Sequence, residues 1–119
     1  MSTGGVGGRV AQRSNFIARV QRLDRVEREA IAAGEWDRLD QILQQQKSLW
    51  RELLSVAEAD EKSQRGRAAR EALRALYRVR RRNHARIERC FADLKRRLVA
   101  AQAGADARAA YRGTAGMAA

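Results

Sequence analysis

The chain has 119 residues, a formal net charge of +11, no proline and a single cysteine. That length suits one ordinary domain, the lone Cys90 excludes an internal disulfide or a thiolate metal cluster, and no apolar run reaches the roughly eighteen residues of a spanning helix. Ala, Leu, Arg, Gln and Glu fill the middle while glycine gathers towards the ends, so the expected class is all-α: an antiparallel three-helix bundle or hairpin with a long third helix and a short C-terminal helix, forming a single domain. The N-terminal MSTGGVGGRVAQR has no hydrophobic stretch fit for a signal peptide, which makes the cytoplasm the expected location.

Residues 1–12 are Gly-rich without apolar periodicity and read as a flexible arm. Over 13–33, Phe16, Val20, Leu23, Val26 and Ala30 recur at three- and four-residue steps, which predicts helix 1 with Arg19, Arg22, Arg25 and Arg28 off its apolar stripe. Gly34 is the natural stop, since glycine takes the left-handed conformation that a helix end often needs. Helix 2, over 35–59, opens with Glu35 and Asp37 where the helix dipole favours carboxylates. Its stripe is Trp36, Leu39, Leu43, Trp50, Leu53 and Ala57, broadened by Ile42, Leu49, Leu54 and Val56. Trp36 and Trp50 are two heptads apart, so both are expected to face the hairpin interior.

The polar stretch from Asp60 to Gly66 predicts the second turn. Helix 3 is expected over 67–101, with Leu73, Leu76, Tyr77, Ile87, Phe91, Leu94 and Leu98 on its stripe. That stripe is interrupted at Arg80, Asn83 and His84. Either the stretch projects beyond the hairpin or faces a cleft, or it is a polar layer or solvated bend in the packing. After Gly104, residues 105–112 predict a short helix capped by Asp106. Tyr111 and Met117 are its only large apolar groups, so it is expected to dock weakly and to mask, until released, a partner groove around Leu73, Leu76, Ile87 and Phe91.

Little in the sequence suits catalysis. His84 is the only histidine, and its neighbours Arg82, Asn83 and Arg86 supply no orienting carboxylate. Cys90 has no base placed for it in sequence and reads as a small apolar group beside Phe91. The helix dipole already accounts for Glu35 and Asp37, and the glycines at Gly4 to Gly8 lack the lysine and serine of a phosphate loop. No enzyme activity, cofactor or metal is expected.

The charge is concentrated. Residues 1–64 carry 10 basic and 10 acidic side chains, whereas residues 65–97 carry 13 basic and 3 acidic ones. Arg78, Arg81, Arg82, Arg86 and Arg89 form the candidate basic surface, with an acidic protein, nucleic acid or solvent as its counterpart. The aromatic interleaving of a base-stacking surface is missing, since Tyr77 and Phe91 fall on the apolar stripe.

Two short motifs, Gly34-Glu35-Trp36-Asp37 with Leu39 and Ala110-Tyr111 with Gly116-Met117, resemble those of the FliT family of flagellar export chaperones. The resemblance implies a cytoplasmic helical chaperone that holds the filament-cap protein before type III export and contacts the export machinery. In some family members it also implies restraint of a transcription activator. It points to Tyr111 as a partner-contact residue, with the last helix covering the client-binding surface. Arg112 stands where the family pattern has glycine, and the run from Arg78 to Arg82 is more basic than that pattern. The related FlgN-type chaperones of hook-filament junction proteins are the alternative in the same class, and a small basic nucleic-acid-binding protein is the alternative outside it. The expected assembly is a monomer or homodimer.

Overall fold

The computed structural model describes the backbone of residues 4–118 and the side chains of residues 15–113. Among the described residues all regular structure is helical, in three elements: α1 (Gly4–Ala33), α2 (Trp36–Ala59) and α3 (Gln64–Ala118). The chain divides into two compact units, Met1–Ala85 and Arg86–Ala119. No helix among the described residues is long and apolar enough to cross a membrane.

Both turns are built by local chemistry. Gly34 has φ +68° and ends α1. The Gly34 amide donates to Ile31 O at 3.2 Å and the Glu35 amide to Ala30 O at 3.0 Å, the paired bonds of a Schellman motif. At the second turn Ser63 caps α3. Its hydroxyl accepts from the Gly66 amide at 3.0 Å and donates to Asp60 O at 3.0 Å. A Cβ on Gly66 would stand 1.7 Å from Asp60 O, so the turn closes only with glycine there. This cap starts the helix at Gln64, three residues before the expected Arg67.

The core of the first unit draws on all three helices: Phe16 and Val20 from α1, Leu49, Leu53 and Ala57 from α2, and Ala68, Ala69, Ala72, Leu76 and Val79 from α3. Contacts between α1 and α2 run in opposite order, Arg19 reaching Glu52 and Glu27 reaching Gln46. The α3 seam is Ala69, Ala72, Leu76, Val79 and Asn83, rotated from the stripe expected of its largest residues. Alanines let helix axes approach closely, so small groups hold the interface and Tyr77 is 55% exposed. Trp36 and Trp50 are half-buried, Trp50 packing against the core, while Leu39, Ile42, Leu49 and Leu53 occupy the buried face of α2.

The helical ends differ from the sequence reading. Residues 4–12 of the expected arm have helical backbone, and residues 1–3 lie outside the described residues. The short helix expected at 105–112 is instead part of α3, which continues through Gly104. Asp106 caps nothing there. It accepts from Gln102 Nε2 at 3.0 Å, one turn earlier on the same helix. Lengthening a formed helix orders one residue for each hydrogen bond gained, whereas starting a new one orders several for the first. Glycine permits a break without requiring one.

Candidate partner-binding surfaces

The interruption seen in the third helix is a polar layer to which all three helices contribute. Glu27 on α1 and Asn83 on α3 are both 0% exposed, and Gln46 on α2 is buried with them. Gln46 Nε2 donates to Glu27 Oε1 at 2.7 Å, and Asn83 Nδ2 donates to the same oxygen at 2.6 Å. Arg80 Nη1 donates to Glu27 Oε2 and, at 2.9 Å, to Gln46 Oε1. Asn83 Nδ2 also donates to Asp24 Oδ1 at 3.0 Å. An isolated carboxylate would be expelled from such an interior, and here one guanidinium and two amides hold it.

Each helix carries its member of the layer in seam register. Glu27 lies seven residues beyond Val20, Gln46 four beyond Ile42, and Asn83 seven beyond Leu76. The sequence signal was therefore present, as one polar residue interrupting each seam. It was missed because Val26 and Leu43 offered apolar alternatives beside Glu27 and Gln46. His84, one residue from Asn83, is exposed.

Beside this layer an open groove of about 690 Å³ lies between α1 and α3. Ile17, Val20, Ala75 and Val79 make its apolar lining, while Arg78, Arg81 and Arg82 stand along its α3 side. The Arg81 guanidinium sits 6.0 Å from the centre of the Tyr77 ring. Three residues of the expected basic surface thus share one groove. Arg86 and Arg89 belong to the second unit, and Arg80 is withdrawn into the polar layer.

The expected partner groove separates as well. Leu76 is 1% exposed within the core of the first unit, and Leu73 packs half-buried against that core. Leu76 thus lies in the core rather than on an open face. In the second unit Ile87 is half-buried, and Phe91, Leu94 and Leu98 are exposed, Phe91 at 55%. Their four-, three- and four-residue spacing places them on one helical face. Tyr111 is 76% exposed and lies about 120° around the helix from that face. The Met117 side chain lies outside the described residues. Cys90 is half-buried, and among the described residues no three His, Cys, Asp or Glu side chains gather as metal ligands.

Ion pairs tie α1 to α2 at the surface, Arg38 to Glu29 at 3.9 Å and Arg19 to Glu52. Arg19 Nη2 donates to Glu52 Oε2 at 2.6 Å. That hydrogen bond lowers the Glu52 carboxyl pKa and raises that of the Arg19 guanidinium.

No protein-family model, curated protein or solved structure matches this chain.

Proposed function

We propose that the chain is a cytoplasmic export chaperone of the FliT kind, with an antiparallel three-helix bundle as scaffold and a segment of α3 as client site. The supporting observation is the exposed stripe of Phe91, Leu94 and Leu98, continued by half-buried Ile87. Apolar side chains at heptad spacing gain from burial only when a second helix covers them. An amphipathic client helix is such a cover, and by the resemblance its source is the filament-cap protein, handed on to the export machinery. The groups beside the stripe carry mixed charge, with Glu88 and Lys95 on one side and Cys90 and Arg97 on the other. Apolar contact therefore sets the affinity.

Titration calorimetry with a peptide from the C-terminal helical region of a filament-cap protein tests the reading. Binding is expected to weaken about tenfold or more in Phe91→Ala and Leu98→Ser, since one large apolar group contributes on the order of 1.5 to 3 kcal/mol. Binding indifferent to both changes overturns the assignment of the stripe. A peptide from a hook-filament junction protein that binds in place of the cap peptide moves the client to the FlgN kind.

A further inference from the structure

We infer that the groove between α1 and α3 is a second docking surface, and that its occupant is an acidic amphipathic helix of a protein partner. It lies wholly within the first unit, so the inference does not depend on the α3 stripe.

Shape and charge select the occupant together. Half-buried Ile17 and Ala75 form the groove's apolar walls above a floor of buried Val20 and Val79, which suits a helix that presents small or branched apolar side chains at three- and four-residue steps. Arg78 and Arg82 stand along one side, one helical turn apart and therefore about 6 Å apart along the axis. Glu or Asp residues four apart on a partner helix have the same spacing, so two carboxylates meet two guanidinium groups in register. Among the described residues neither arginine is held in an ion pair, whereas Arg80 between them is committed to Glu27. The carboxylate on the opposite side, Asp24, is already engaged by Asn83 at 3.0 Å and by Arg28 at 3.5 Å. It offers an acidic partner little repulsion. A nucleic acid would meet the same arginines but leave the apolar lining uncovered, and the one aromatic beside them, Tyr77, is already faced by Arg81.

The test uses the full chain and two synthetic helical peptides with the same Leu/Ala apolar face, one flanked by Glu at four-residue spacing and one flanked by Lys. Fluorescence anisotropy is expected to show saturable binding of the Glu peptide alone. Affinity should fall about tenfold or more between roughly 0.1 and 0.5 M NaCl as the ion pairs are screened. Arg78→Glu with Arg82→Glu should exchange the preference for the Lys peptide. Ala85→Glu, at an exposed position lining the groove, should weaken the Glu peptide about tenfold or more by like-charge contact. Phe91→Ala should leave it unchanged, which separates this surface from the client stripe. All of these positions are exposed, and an unaltered thermal melt by circular dichroism shows that each variant remains folded. Equal binding of the two peptides overturns the inference, as does indifference to the arginine reversal. Single-stranded DNA that binds through Arg78 and Arg82 while the Glu peptide does not would assign the groove to nucleic acid instead.

Discussion

Arg80 and Asn83 lie against Glu27 inside the first unit, whereas Phe91, Leu94 and Leu98 on the same helix are exposed in the second. Polarity alone would have placed these groups the other way round. In the first unit α1 and α2 face the polar stretch and bring the partners that make its burial tolerable. The second unit is a stretch of one helix, and one helix has no interior. An apolar stripe becomes a core only where another surface covers it.

Removing the anchor of the polar layer should have the largest effect. Glu27→Ala leaves Gln46, Asn83 and Arg80 without their shared acceptor, and should destabilise the chain by about 3 to 5 kcal/mol in urea unfolding. Replacing the layer together, with Glu27→Leu, Gln46→Leu, Arg80→Met and Asn83→Leu, should leave stability unchanged or raised, because no stranded charge remains. Unfolding of that quadruple variant would mean that the layer supplies stability as well as registry.

A pair of apolar truncations sharpens the contrast between the two stretches. Leu76→Ala should cost about 2 to 5 kcal/mol, while Phe91→Ala should change stability by no more than about 0.5 kcal/mol. Thermal melts that shift equally for the two would show that Phe91 is covered in solution, by a second copy or by another part of the chain.

Two glycines carry the same comparison into the backbone. Gly66→Ala drives a methyl into the Asp60 carbonyl and should cost about 1 to 3 kcal/mol. Gly104→Ala meets only Arg108 Nη1 at 3.7 Å, an ordinary contact, and should add helix stability of up to about 1 kcal/mol, read as helicity by circular dichroism.

The smallest effect is electrostatic. The Glu52 carboxyl has a lowered pKa because it accepts a hydrogen bond from Arg19, so its contribution is complete above the unfolded value and lost as pH falls through the folded one. Both partners are more than a third exposed, at 38% and 47%, and solvent screening limits the contribution to about 0.2 to 1 kcal/mol. Acid unfolding of Glu52→Gln should lack that part of the pH dependence below its ordinary value of 4.5.

The helical class and both turns were legible in the residues alone. Gly34 can take a positive φ at no steric cost, the polar run before Gly66 can satisfy its own backbone, and neither requires a distant contact. The residues also marked Arg80 and Asn83 as an interruption, and three- and four-residue spacing put Phe91, Leu94 and Leu98 on one face. Which faces are covered depended on helices distant in sequence. Glu27 and Gln46 read as ordinary polar residues until α1 and α2 bring them to Asn83, and Ala69 and Ala72 outrank Tyr77 in the seam because close helix contact favours small groups. The continuation of α3 through Gly104 lay beyond local reading for a related reason: glycine permits both a break and a turn of helix, and the cooperativity of the helix around it chooses between them.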